Sequence, residues 1–448
     1  MIIKPKLSFW QIWNMCFGFL GVQVGMGLQL ANMSPIYRYL GADESKLPFL
    51  WLAGPITGLI IQPIIGEMGD NTWNKFGRRR PYFLTGAIVA SIALVLMPYS
   101  KFVWMAAGLM WILDASVNSS MESFRAMVGD ILPVEQRAKG FTMQAFMIGL
   151  GQLFSSALPF ILGMLGFAAT GLINTVPDFV KYSFVLGAII ILSSIAWTAY
   201  KTKEYPPDDM DAFRKRKAET KGIAHSIREI IRAVKEMPLS MRQIWWVKLF
   251  TWYALPLMWQ YLSLSIARHV YDAASPTAPG FSKGVQMGGV AAAFFSAASI
   301  FMSLLFPFLI KKIGLRKIYF YFLLIGGVAF ISMFFANNIA TVFALSFLMG
   351  IGFASMHTIP YIMVSKTVPQ ERMGVYMGIM NAFVCIPQII GMLTVPLFYN
   401  SILGGDPRNA IVLAGVLFII AGMLSLRITK QVEADHPIVP EVVIAHEN

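Results

Sequence analysis

Residues 47–81 read LPFLWLAGPITGLIIQPIIGEMGDNTWNKFGRRRP. For some twenty residues the segment is apolar, enough for a helix to cross about 30 Å of hydrocarbon. It turns polar at Asp70 and ends in three consecutive arginines, Arg78, Arg79 and Arg80. An apolar run closed by a cationic anchor reads as a membrane span entering a cytoplasmic loop. Similar runs recur along the chain, twelve in all, from about 8–31 to about 409–427. Of 448 residues, 56% are hydrophobic and 13% charged, against about 25% charged in soluble proteins. A water-exposed surface cannot be built from so few polar groups. Two cysteines, Cys16 and Cys385, exclude a disulfide-built fold and supply no zinc or iron–sulfur ligand set, so no metal is expected.

The net charge of +13 invites a nucleic-acid reading, which the placement of the charges removes. With both termini in the cytoplasm, 27 Lys and Arg fall on the inner side and 7 on the outer. That asymmetry is the positive-inside rule, and it sets a multi-pass topology in the cell inner (plasma) membrane. No short apolar core with a small-residue cleavage site opens the chain, so the first span is expected to remain as a helix. The longest polar segment, 201–242, is rich in Lys and Arg and divides six spans from six. Its later part, around Ile223 to Val234, has the makings of a basic amphipathic helix on the inner leaflet. A solvated linker is the plainer alternative.

The halves resemble each other. Lys75-Phe76-Gly77-Arg78-Arg79, after the second span, recurs as Lys312-Ile313-Gly314-Leu315-Arg316 after the eighth. Pro133-Val134-Glu135-Gln136-Arg137 recurs as Pro369-Gln370-Glu371-Arg372 at nearly the same offset. A duplicated six-helix unit resembles the major facilitator architecture, in which substrate binds between halves that rock about it. The expectation is an all-α membrane protein of twelve transmembrane helices in two pseudo-symmetric bundles, 1–200 and 243–430. A cytoplasmic linker, 201–242, joins them, and a cytoplasmic tail, 431–448, follows. Gly66…Asp70 with Gly77, Arg78, Arg79 and Arg80 matches that superfamily's signature between spans two and three. Asp70 there is expected to accept from arginines or helix-end amides of the neighbouring bundle, as a conformational latch. Its counterpart in the second half is Pro307, so the latch is one-sided.

Ionisable groups at membrane depth are costly and default to function. The fourth span holds most of them. Asp114 falls near the bilayer centre, and Asn118 and Arg125 lie within about 40° of it on one helical face. Arg125 is roughly 16 Å further along, too far to pair with Asp114. Glu122, three residues before Arg125, has the spacing of an ion pair. Asp114 is then left with Asn118 and no cation from its own helix. Burial penalises the charged form of a carboxylate, the property a proton-coupling group needs. The plainer reading is an aspartate that hydrogen-bonds between helices.

Trp111-Ile112-Leu113-Asp114 with Asn118, then Arg125-Ala126 and Asp130, resembles helix 4 of the sucrose/proton symporters. Gly54-Pro55…Gly58…Gln62-Pro63…Gly66…Asp70…Phe76 to Pro81 is similar to that family's helix 2 and its following loop. Gly378…Asn381…Ile386-Pro387-Gln388 resembles its helix 11. The resemblance implies a bacterial-type member importing a sucrose- or maltose-like α-glucoside by alternating access. It places the coupled proton on Asp114 and a required buried arginine at Arg125, with H⁺ as coupling ion and no cofactor.

The chain departs from the plant members in helix 7, where their acidic stretch is replaced by Trp252-Tyr253-Ala254…Trp259-Gln260-Tyr261. Trp259, Gln260 and Tyr261 offer ring faces and an amide suited to sugars. Gln62, Gln152, Asn381 and Gln388 are further candidate cavity groups. Gln23, Gln144 and His357 could line the cavity or join helices at about 1 kcal/mol. No phosphate-binding loop, His-Glu-x-x-His or Gly-x-Ser-x-Gly occurs, so no ATP-driven or hydrolytic site is expected. A sodium-coupled carrier of the melibiose type would want several carboxylates around helices 2 and 4, and helix 2 offers only Glu67 at its end. A non-transporting sugar sensor would need a signalling tail longer than the twenty or so residues after Arg427. A multidrug exporter favours a greasier cavity. A monomer is the default for this architecture.

Overall fold

The computed structural model describes residues 5–167, 176–206, 210–211, 213, 232, 234–368 and 373–430. The postulated amphipathic stretch from Ile223 falls mostly outside these residues, as do 431–448 and the Pro369–Arg372 repeat. Among the described residues twelve long helices run in chain order. They are α1 (Phe9–Tyr39), α2 (Ala53–Asp70), α3 (Arg80–Leu96), α4 (Val103–Ile131), α5 (Val134–Met164) and α6 (Asp178–Lys201). The second six are α7 (Leu239–Val270), α8 (Phe281–Ile313), α9 (Leu315–Ser332), α10 (Ile339–Thr367), α11 (Met373–Phe398) and α12 (Pro407–Ser425).

Local chemistry sets where several begin. Ser8 and Gln11 form a capping box on α1: the Ser8 hydroxyl accepts from the Gln11 amide and the Gln11 side chain accepts from the Ser8 amide. Asp406 caps α12 ahead of Pro407, whose missing N–H is no loss at a first turn. Among the described residues nine of these helices are long and apolar enough to cross a membrane. The remaining three are α1, α4 and α7. They carry Gln23 and Gln29, Asp114 to Arg125, and Lys248 and Gln260 respectively, polar groups that lower their hydropathy.

The pairings of the first half recur in the second. Helix α1 packs on α5 and α6, α2 on α4, and α3 on α4 and α6; α7 packs on α11 and α12, α8 on α10, and α9 on α10 and α12. The halves meet through α5 with α8 and α2 with α11, which are equivalent pairs under the same duplication. Gly77 and its repeat partner Gly314 both have positive φ, +107° and +89°. Each turns the chain between two spans in a conformation that side chains resist.

The turn at Gly77 sits beside the expected latch. A Cβ at Gly77 would stand 2.9 Å from the Glu204 carboxyl carbon. The space is needed because Glu204 accepts from three successive amides, those of Arg78 (2.6 Å), Arg79 (2.9 Å) and Arg80 (2.9 Å). The Arg80 side chain donates to the Thr202 carbonyl. Arg79 Nε donates to Asp130 at 2.7 Å and its Nη2 to Asp70 at 2.5 Å, while Arg78 reaches Asp70 at 2.8 Å. These contacts join α2, α3, α4 and the end of α6 within one half. Among the described residues, these contacts of the signature clamp its own bundle.

Candidate functional site

Between the halves lies a cavity of about 210 Å³, walled by α1, α2, α4 and α5 on one side and α7, α8, α10 and α11 on the other. The other four helices contribute nothing to its lining among the described residues. Asp114, Asn118, Arg125, Gln62 and Gln152 reach it from the first half, and Trp259, Asn381 and Gln388 from the second. His357 and Trp252 also line it, with their rings 5.8 Å apart.

The polar groups of the first half form a chain. Asp114, 2% exposed, accepts through Oδ1 from Gln29 Nε2 at 2.8 Å. Asn118 Nδ2 donates to the Asp114 carbonyl at 2.9 Å and to the Thr57 hydroxyl at 3.1 Å. Its Oδ1 accepts from Gln62 Nε2 at 2.6 Å, and Gln62 Oε1 accepts from Arg125 at 3.4 Å. The carboxylate therefore has a neutral partner, one the sequence did not single out. Gln23, the glutamine that was singled out on α1, accepts from Gln152 at 3.0 Å. Gln144 donates to the Phe124 carbonyl at 2.7 Å and joins helices.

Three expectations are corrected. Among the described residues Arg125 and Glu122 form no ion pair. Both side chains reach α2 instead, one turn apart: Arg125 meets Gln62, and Glu122 Oε1 lies 3.4 Å from where Gly66 would carry a Cβ. Tyr261 is not a cavity residue. Its ring stacks on Tyr399 at 5.0 Å and its hydroxyl donates to the Glu44 carbonyl at 3.0 Å. Two residues beyond Trp259 means about 200° around the helix, which turns Tyr261 away from the wall Trp259 lines. Gln260 is likewise outside the lining, fully buried.

Tyr261 belongs to a closure at the end that the charge asymmetry assigns to the outside. The buried Glu44 carboxylate, between α1 and α2, accepts from Arg268 Nη2 at 2.8 Å and from the Tyr399 hydroxyl at 3.2 Å, both in the second half. Arg38 of its own half stands 3.3 Å away. Tyr39 and Ser282 share a hydrogen bond of 3.0 Å across the same seam. Nearer the middle, Asn381 donates to the Gly58 carbonyl at 3.4 Å. These contacts hold the two halves together at this end of the cavity.

The family model of the Major Facilitator Superfamily matches residues 15–285 and 271–442. The chain belongs to the major facilitator superfamily. This facilitator is thus a multi-pass membrane transport protein and not an enzyme. It is similar to sucrose transport protein SUC4 of Arabidopsis thaliana, at 22% identity over 93% of this chain and 89% of that one. Sucrose transport protein SUT5 of Oryza sativa subsp. japonica is 23% identical over 91% and 85%. Among solved structures, a D-xylose–proton symporter superposes with a TM-score of 0.69 at 14% identity, covering 96% of this chain and all of the other. A bacterial homologue of the lysosomal transporter Spinster, inward-facing and occupied, gives 0.68 at 13% identity, over 95% and 98%. Both share the fold.

Proposed function

We propose that this facilitator is a proton-coupled symporter that imports a disaccharide or α-glucoside, sucrose- or maltose-like, by alternating access. One observation carries the reading: a buried carboxylate in the inter-half cavity, Asp114, whose partner is the neutral amide of Gln29 rather than a cation. Such a group can take up and release a proton without breaking an ion pair. The surrounding amides of Gln29, Asn118 and Gln62 and the indoles of Trp252 and Trp259 suit a polyhydroxylated ligand with apolar ring faces. The likeness to sucrose transport proteins over nine-tenths of the chain supports the same substrate class. In this reading the proton is the coupling ion, no cofactor is used, and a monomer works with both termini in the cytoplasm of the inner (plasma) membrane.

The test is uptake of radiolabelled sucrose and maltose into proteoliposomes. Accumulation collapses with a protonophore and is indifferent to replacing Na⁺ by K⁺. Each proton descending 100 mV supplies about 2.3 kcal/mol. Asp114→Asn abolishes accumulation while sparing sugar exchange. Sodium-dependent uptake that survives the protonophore, or full accumulation by Asp114→Asn, defeats the proposal.

A further inference from the structure

The second half lines the cavity mainly with rings, and most of its polar side chains are already bonded or covered. Asn381 donates to the Gly58 carbonyl at 3.4 Å, and Gln388 to the Val384 carbonyl of its own helix at 3.2 Å. Ser263, Ser296 and Cys385 belong to the lining but are buried. His357 differs from all of these. It lines the cavity, it is exposed, and among the described residues it makes no hydrogen bond to another residue. The exposure is to the cavity and not to lipid. Leu348, 38% exposed, marks the outer stripe of α10. Nine residues on, at 100° each, is the opposite side of the helix.

Neighbouring rings, rather than hydrogen bonds, fix the imidazole. It meets the Trp252 indole edge-on at 5.8 Å and 62°, and the Phe353 ring at 5.3 Å and 59°. In either charge state an imidazole carries at least one N–H. The group therefore offers a donor whatever the proton does at Asp114. We infer that His357 is the substrate's hydrogen-bonding contact on the second half, donating from a ring nitrogen to the oxygen of one sugar hydroxyl. Gln62 and Asn118 line the opposite wall, so the sugar is held by polar groups of both halves. His357 is a specificity-determining residue in this arrangement. An exposed imidazole is hydrated until a ligand displaces that water, and only a sugar with an oxygen at the matching position replaces the lost bond. This rests on the sugar reading above and deepens it by naming the second-half residue that reads a hydroxyl.

A contact to one hydroxyl is separable from a role in shaping the cavity. Binding of sucrose, maltose and the monodeoxy analogues of each is measured on the full-length protein in nanodiscs. Removing the hydroxyl that His357 reads weakens binding to the wild type about tenfold. His357→Phe weakens the parent sugar about tenfold and brings the penalty at that single position to near unity, leaving penalties at other positions in place. His357→Gln, which keeps an N–H donor, restores part of the affinity and part of the penalty. His357→Leu repeats the measurement should the phenylalanine variant express poorly, with the thermal stability of each variant taken in the same discs. Parent affinity unchanged in the Phe and Leu variants overturns the inference. So does a loss of affinity that leaves every deoxy penalty as in the wild type, which marks a purely structural role. Failure of sucrose and maltose alike to bind the wild type overturns the sugar reading itself, and the two failures are thereby distinct.

Discussion

Replacing Glu44 by Gln tests the outer closure with little change of shape. Two donors cross from the second half to this carboxylate, Arg268 Nη2 at 2.8 Å and the Tyr399 hydroxyl at 3.2 Å. Hydrogen bonds to charged groups contribute about 1.5–3 kcal/mol each. When the seam opens, water replaces both partners. Glutamine retains one acceptor oxygen and loses the charge, so the net change is smaller than the sum of two bonds. We expect about 2 kcal/mol against the closed seam, close to a 30-fold shift in the ratio of closed to open. Spin labels on Lys46 and Lys283, exposed on opposite halves near this seam, report the separation by pulsed dipolar spectroscopy. Wild type should show one dominant short distance, and Glu44→Gln a second, longer population. Arg268→Gln should give the same population, and the double mutant should add little, because the two residues share one interaction. An unchanged distance distribution in Glu44→Gln, with thermal stability retained, refutes the reasoning; so does full additivity of the two changes.

Gly289 on α8 lies against α5 so closely that a Cβ would fall 2.5 Å from the Ser156 carbonyl oxygen. Because backbone cannot yield as a side chain can, Gly289→Ala should force the helices apart and slow sugar counterflow several-fold; unchanged counterflow would show that the approach is not needed. Gln62 bonds both Asn118 and Arg125, whereas Glu122 bonds neither. Gln62→Leu should therefore lose most uptake while Glu122→Gln retains most of it, and the reverse order would restore the pairing of Glu122 with Arg125.

How far the sequence went depended on the range of the physics involved. Span lengths, the charge asymmetry and the paired loops at Gly77 and Gly314 are local or additive signals, and they yielded the twelve helices and the duplication. Asp114, Asn118 and Arg125 were placed on one face by helical geometry alone, and all three line the cavity. The failures needed a second helix. Nothing in α4 says that Asp114 will find Gln29, 85 positions away, and Gln23 looked equally eligible on α1. The spacing of Glu122 and Arg125 allowed a pair, but α2 offered each a nearer neighbour. Glu44 went unnoticed because its segment read as a short outer connector. Only the packed halves bring Arg268 and Tyr399 to it.

The duplication copies the scaffold and not the ionisable group. Helices α4 and α10 correspond at an offset of 236 residues, which sets Gly350 opposite Asp114. A Cβ at Gly350 would meet the Phe295 carbonyl oxygen at 2.2 Å, so the equivalent position is filled by the close approach of α8. No carboxylate could be seated there without parting those helices. The second half instead contributes ring faces and Lys248, whose ammonium lies 4.5 Å from the Tyr361 ring centre and 5.8 Å from that of Trp252. Under the proposed coupling, the proton site then belongs wholly to the first half. The seam at Glu44 makes the complementary arrangement, with the acid in the first half and its crossing donors in the second. Proton uptake at Asp114 and closure at Glu44 can therefore communicate within one rigid bundle, through α1, which carries Gln29 on its inner face and ends at Tyr39 beside the seam.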